Sequence, residues 1–280
     1  LEICKRGKEF NIDQLIIFMK FISFTTDFGA GSRGNGVLMA VALKIAPDAH
    51  VVHFADVESF NIKSGARILE GISYLPVGSH TCVIDPGVGT KRMAIAIETN
   101  RGDYLIGPDN GVLLPACEFL GGIKKVFEIA NEDYMLKPVS PIFHGRDVFM
   151  PVAAHLANGI AIEELGKELK ASELTAAPYK NAQIKNKKIE CEVIHINKFG
   201  SLFINILGLT MEKFASLGKI ITIKTKNKKI SLPYKRTFGE VEKGKPIIVN
   251  DDFGRVEIAI NQGSFANRFK IKIGDKLSIA

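Results

Sequence analysis

At 280 residues the chain is longer than most single domains and suits one large domain or two modest ones. Its 46% apolar side chains supply a sizeable core, and its net charge of +7 raises nucleic acid as a partner. The lysines, however, gather late, in Lys180–Lys188 and Lys219–Lys229, spaced by Ile and Val as on a solvated strand face; without interleaved aromatics they argue against nucleic-acid binding.

Cys4, Cys82, Cys117 and Cys191 are scattered and form no Cys-x-x-Cys pair. They read as reduced thiols of a cytoplasmic protein, not as a disulfide frame or a zinc site. The apolar run Leu15–Phe24 is interrupted by Lys20 and followed by no small-residue cleavage site, so neither a membrane span nor a signal peptide is expected. Met19-Lys20 opens directly into the first strand, which leaves residues 1–18 as an N-terminal extension outside the core.

From Lys20 to about Glu168, strand and helix patterns alternate. Strands are expected at Phe21–Thr26, Val51–Phe54, Thr81–Ile84, Ala94–Glu98, Tyr104–Ile106 and Lys125–Ile129. Helices are expected at Gly36–Ile45, Ile62–Tyr74, Val112–Leu120 and Asp147–Asn158, with Pro47, Pro76 and Gly159 just beyond three of them as stop signals. Such alternation predicts a mainly parallel sheet with helices on its faces. The stretch 176–184 reads as a linker. Beyond it come short strands, Ile189–Ile196, Leu202–Ile206, Ile220–Thr225, Ile230–Leu232, Ile247–Val249, Val256–Ile260 and Lys276–Ile279, parted by glycine turns at Gly200, Gly244 and Gly254. That texture predicts a smaller antiparallel β-barrel or sandwich. The expected organisation is an α/β domain over 19–180 and a barrel-like domain over 181–280.

Three apolar runs in the first half end in an aspartate and a glycine turn: Thr25-Thr-Asp27-Phe-Gly29, Val83-Ile-Asp85-Pro-Gly87 and Gly107-Pro-Asp109-Asn-Gly111. Open α/β sheets bind ligands at the carboxyl ends of their strands, and glycines there let backbone approach closely. Three such turns on successive strands point to a polar site. Arg92 follows the second turn, and His144 lies in Phe143-His-Gly-Arg-Asp147 at an expected helix start. An imidazole that titrates near neutrality suits proton transfer or water orientation there. His155, inside the same helical pattern, reads as an ordinary packed histidine.

With Glu257-Ile-Ala-Ile-Asn-Gln-Gly-Ser264, these turns make five ordered motifs, and on them the chain from Met19 onward resembles the S-adenosyl-L-methionine (SAM) hydrolases. These adenosine-forming enzymes are also called SAM hydroxide adenosyltransferases, and the fluorinases and chlorinases are their relatives. The resemblance implies hydrolysis of SAM to adenosine and L-methionine by an Asp85–Arg92–His144 triad, without a metal or cofactor. It implies that Asp27 holds the ribose hydroxyls and that Phe60 lies beside the ribose. It also implies a homotrimer in which the barrel of one subunit closes the site of its neighbour, with Asn197, Ser201, Phe203, Asp252, Asn261 and Gln262 contacting methionine and adenine. In that chemistry the leaving group is a neutral thioether that needs no proton, so the difficulty is the weak nucleophile water. Arg92 is expected to favour its hydroxide form while Asp85 and His144 take its hydrogens.

Two departures bear on that expectation. The halogenating relatives carry tyrosines in place of Asp85 and His144 and a halide-contacting serine in place of Gly145, so water is favoured over halide; a halogenase, or a binding protein without turnover, is the alternative. In the barrel, relatives commonly read Asp-Arg-Phe-Gly-Asn where this chain has Asn197-Lys-Phe-Gly-Ser201, and Ser where it has Asp252. A compensating exchange is expected, with Asp252 now supplying the carboxylate for the substrate ammonium.

Overall fold

The computed structural model describes residues 19–226 and 228–280; the expected extension over 1–18, with Cys4, lies outside them. In chain order the first part comprises β1 (Phe21–Thr26), α1 (Arg33–Ile45), β2 (His50–Asp56), α2 (Ile62–Leu69), β3 (Ser79–Val83), β4 (Ala94–Thr99), β5 (Tyr104–Pro108), α3 (Leu114–Phe119), β6 (Ile123–Glu128) and α4 (Met150–Ala157). The six strands form one sheet in the order β2-β1-β3-β5-β4-β6. The β1–β2, β1–β3 and β3–β5 pairings are parallel, and β4 runs antiparallel to both β5 and β6.

Both faces of this sheet are covered, as its strand residues dictate. Val83, Ala96 and Ile106 point into one cluster, with Leu38 and Ala42 of α1 and Val152 and Leu156 of α4. Their chain neighbours Cys82, Ile84, Ile95, Ile97 and Leu105 point into the other, with Leu69 of α2 and Ala116 of α3. Alternation along each strand feeds two cores, so the strands read as continuous apolar runs. Ser32 caps α1 by accepting from Gly34 N–H, and Asn61 caps α2 by accepting from Ser64 N–H. Two expected helices are composite: α2 continues as a 3₁₀ turn over Glu70–Tyr74, and α4 is preceded by a π turn over Gly145–Phe149.

The second part comprises β7 (Ile184–Lys185), β8 (Lys188–Ile196), β9 (Leu202–Leu207), α5 (Gly208–Phe214), β10 (Ile220–Lys224), β11 (Lys229–Pro233), β12 (Pro246–Asn250), β13 (Arg255–Ile260), α6 (Phe265–Phe269) and β14 (Lys276–Ile279). Its strands form an antiparallel sheet in the order β11-β10-β14-β8-β9-β13-β12, with β7 on β8. A bridge between Tyr234 and Ile248 brings the end of β11 to β12 and nearly closes a barrel around Ile204, Ile223, Ile258 and Leu277. The short helices α5 and α6 are additions to the expected strands.

The segment expected as a linker has little regular structure, yet it is held along its length. Ala182 N–H donates to the Asn205 carbonyl, Asn205 Nδ2 donates to the Lys180 carbonyl, and the Tyr179 hydroxyl donates to Glu70 at 2.8 Å. Glu70 is fully buried and also receives Arg255 of β13, through Nε at 2.6 Å and through Nη2. Arg67 of α2 reaches the Asp251 carboxylate. A buried ionic network therefore joins the helical layer to the barrel. Buried charges persist only when paired in this way. Cys82, Cys117 and Cys191 are free and buried, and burial pushes each thiol well above its usual range. No helix among the described residues is long and apolar enough to cross a membrane.

Candidate active site

β1 and β3 are parallel neighbours, so the residues that follow them emerge at the same edge of the sheet. Asp27 follows β1 directly and Asp85 lies two residues beyond β3. β4 runs the other way, so it starts at the edge where β3 and β5 end, and Arg92 just ahead of it returns to that edge. Between them the chain turns tightly: Val88 N–H donates to the Asp85 carbonyl and Thr90 N–H to the Gly87 carbonyl. Gly89, at φ +75°, is required there, because a Cβ would lie 2.5 Å from the Pro141 carbonyl oxygen. This close approach sets the Asp85–Arg92 turn against the loop that carries His144.

The three side chains meet. Arg92 Nε donates to both Asp85 oxygens at 3.0 Å, and its Nη2 donates to Asp85 Oδ2 and to His144 Nδ1, the latter at 2.8 Å. A guanidinium has no acceptor, so the imidazole nitrogen must accept and the ring's hydrogen sits on Nε2. Burial and the Arg92 charge both hold the His144 pKa below its usual value. The resting cluster is thus a carboxylate, a guanidinium and a neutral imidazole.

Asp85 and His144 line a cleft of about 270 Å³ with Asp27, Phe60, Val83 and Ile142. Phe60 N–H donates to Asp27 Oδ2 at 2.8 Å, and the residue is 73% exposed. The third strand-end aspartate does not join them. Asp109 accepts from Thr175 N–H at 2.9 Å and from the Thr175 hydroxyl, and so it anchors the following segment. The Gly111 turn beside it is packed on the Ala176 carbonyl, which leaves no room for a ligand.

The barrel residues gather elsewhere. Asn197, Phe203 and Asp252 line a cleft of about 460 Å³ with Arg67, His195 and Glu257. Asn197, Ser201, Asn261 and Gln262 line an adjoining one of about 640 Å³, which shares Asn197, Phe238 and Glu257 with the first. Neither has a lining residue in common with the Asp85–His144 cleft. Within one chain the expected site residues therefore form two groups.

Sequence reasoning did not reach several side chains in the second group. The Arg67 guanidinium lies over the rings of Phe203 and Phe253, at 5.2 and 5.8 Å from their centroids. Burial pushes His195 down to about 4 and raises Glu257 above the usual carboxylate range. Glu257 stood inside a motif already singled out and Arg67 inside an expected helix, but only the packing of α2 on the barrel gives their side chains a role. Asn197 spends its Oδ1 on its own loop, accepting from Phe199 and Ser201 N–H groups at 3.0 Å each. Asn261 donates to the Val241 carbonyl. Among the described residues, no group of three or more His, Cys, Asp or Glu side chains is placed to share a metal ion.

Residues 22–166 match the SAM hydroxide adenosyltransferase N-terminal domain and residues 191–278 match the corresponding C-terminal domain. The chain belongs to the SAM hydroxide adenosyltransferase family. A relative from Salinispora tropica named (R)-S-adenosyl-L-methionine hydrolase is 34% identical over 263 residues, which covers 92% of this chain and 97% of that one. A protein of the same name from Methanocaldococcus jannaschii is 39% identical over 196 residues, 67% of each chain. A fluorinase from Actinopolyspora mzabensis is 23% identical over 284 residues, 90% of this chain and 94% of that one. Among solved structures, an uncharacterized conserved protein from Thermotoga maritima aligns with a TM-score of 0.85 at 32% identity, covering 92% of this chain and 99% of that one. The relatives thus include proteins of both names, and the residues around His144 bear on which reaction suits this chain.

Proposed function

We propose that this chain hydrolyses SAM to adenosine and L-methionine, with Asp85, Arg92 and His144 acting on the water. The observation that carries the reading is the joint hold of Arg92 on Asp85 and His144, both of which line the cleft that also contains Asp27 and Phe60. The water oxygen forms a bond to the 5′ carbon, the C5′–S bond breaks, and its electron pair stays on sulfur as the neutral thioether of methionine. One proton must leave the water. His144 already bears hydrogen on Nε2 and accepts from Arg92 on Nδ1, so it directs the water, and Asp85 receives the proton. The Arg92 charge stabilises the hydroxide-like oxygen as it develops, and attack on a sulfonium cancels charge in the transition state. Asp27 takes the ribose hydroxyls beside the Phe60 ring. The scheme uses no metal and no cofactor.

The separation of the two residue groups supports a site completed between subunits. In this reading a neighbour's Asn197, Ser201, Phe203, Asp252, Asn261 and Gln262 close over the Asp85–His144 cleft in a homotrimer. Phe60 and Ile142, at 73% and 79% exposed, form an apolar rim that such a neighbour would cover. Asp252, exposed on its turn, supplies the carboxylate for the substrate ammonium.

Halogenation fits less well. A Cβ on Gly145 would lie 2.7 Å from Val83 Cγ1, so the space a serine would need is filled by a branched side chain of the same cleft. The deciding experiment is incubation of the purified protein with SAM, with and without chloride or fluoride, followed by product separation. Adenosine and methionine in equal amounts, unaffected by halide, are expected. A 5′-halo-adenosine would overturn the reading in favour of a halogenase, and bound but intact SAM would overturn it in favour of a binding protein.

A further inference from the structure

We infer that Phe149 is the positioning residue that fixes Arg92 against His144; the effect on turnover rests on the hydrolase reading, whereas the geometry does not. Phe149 is fully buried and is not part of the cleft lining. Its ring lies under the Arg92 guanidinium, 5.1 Å from centroid to Cζ, and meets the His144 ring edge-on at 6.4 Å and 79°. One aromatic side chain thus touches both partners of the 2.8 Å Arg92–His144 hydrogen bond.

The π turn explains how one ring reaches both. In an α-helix, a residue five positions on is rotated by about 140°, and His144 and Phe149 would face apart. Here Met150 N–H bonds back to the Gly145 carbonyl, the wider i to i+5 closure, and it returns Phe149 toward the side that carries His144. Asp147 secures the turn from outside, taking Ser140 N–H at 2.8 Å and Arg146 on both oxygens. The same turn accommodates Pro151, which has no N–H for the Asp147 carbonyl, and leaves that carbonyl to accept Leu136 N–H at 2.8 Å.

Asp85 holds one edge of the guanidinium, but a single carboxylate leaves the plane free to tilt. The Phe149 face fixes that plane and so aims Nη2 at His144 Nδ1. Without the ring, the imidazole loses its constant donor and its tautomer is no longer imposed.

The test is Phe149→Leu, which keeps apolar bulk and removes the aromatic face, beside Leu156→Ala, two turns along α4 in the same core cluster, as a control for stability alone. The expected result is a kcat about tenfold lower in Phe149→Leu, a KM for SAM within about twofold of wild type, and a control that is destabilised yet turns over normally. In parallel, nitrogen-15 NMR of the labelled histidines should show His144 protonated on Nε2 in wild type and a mixture of tautomers in Phe149→Leu. A Phe149→Leu protein that matches the control in kcat, or whose His144 signals match wild type, overturns the inference. If wild type does not hydrolyse SAM, the hydrolase reading fails and the NMR comparison decides the role of Phe149 by itself.

Discussion

Phe60 donates its backbone N–H to the Asp27 carboxylate from a conformation, φ +63°, that a bulky residue adopts at a cost. The left-handed backbone aims the amide at Asp27 while the ring projects into solvent at the cleft rim. Phe60→Gly should relieve about 1 kcal/mol of backbone strain and keep the N–H bond, so the melting temperature should hold or rise. Loss of the ring should raise KM for SAM severalfold with kcat little changed. An unchanged KM would remove Phe60 from the substrate site.

The state of His144 sets an acid limb. Its pKa is lowered first by burial and then by the Arg92 charge, so the imidazole stays neutral below the usual 6.5. A proton on Nδ1 would oppose the Arg92 N–H, so protonation should break the pair and stop turnover. Activity should persist through pH 6.5 and fall only at more acidic values, as His144 titrates. A profile of kcat/KM against pH that begins to fall above 6.5 would show that a charged imidazole is tolerated in the resting enzyme.

Gly145 tests the choice between water and halide sterically. Gly145→Ser brings a Cβ into Val83, and the adjustment must move Val83 or the His144 loop. Hydrolysis should fall by at least about tenfold without a halogenated product, and Gly145→Ser with Val83→Ala should recover part of it. Full activity in the single variant would mean that the cleft wall yields freely.

The Arg255–Glu70 pair makes a prediction about stability rather than chemistry. Both side chains are buried, and Arg255→Met would leave Glu70 with only Tyr179 and the longer Arg67 contact. Removing one member of a buried ion pair typically costs about 3–5 kcal/mol, whereas replacing both by apolar residues is often near neutral. Urea unfolding of Arg255→Met and of the double variant with Glu70→Leu should show that asymmetry. Equal losses would mean that the pair is not the weld between the helical layer and the barrel.

Much of this was legible in the chain. Strand-ending aspartates, glycine turns and the His144 motif are local, and the two halves differ in texture because parallel and antiparallel sheets bury their strands differently. What local pattern does not carry is the partner of each charge. Asp109 has the same strand–turn signature as Asp27 and Asp85, yet it is occupied by Thr175, 66 residues away. Ser23, His80 and Asp103 are hydrogen-bonded in a row at 2.8 and 3.1 Å, but Ser23 meets Nδ1 and Asp103 meets Nε2, the reverse of a serine-hydrolase triad, and all three are buried. The π turn at Gly145–Phe149 overlaps the expected helix from Asp147 onward, because its apolar spacing differs from an α-helix by a single residue.

The division of site residues between two groups leads to a test by complementation. A Asp85→Ala chain keeps an intact barrel and lacks the proton acceptor. A chain with Asp252→Ala keeps the Asp85–His144 cleft and loses the carboxylate for the ammonium, which should raise KM by about tenfold or more if a charge-assisted bond of about 1.5–3 kcal/mol is lost. Each alone should be weak at low SAM. If the barrel of one subunit closes the cleft of the next, equal co-expression should place an intact cleft against an intact barrel at about a quarter of the interfaces. Activity with the wild-type KM should then return in the mixture. No recovery from mixed oligomers would place both residue groups in a site formed within one chain, and would require Asn197 and Asp252 to reach the cleft by a movement of the barrel against the buried Arg255–Glu70 weld.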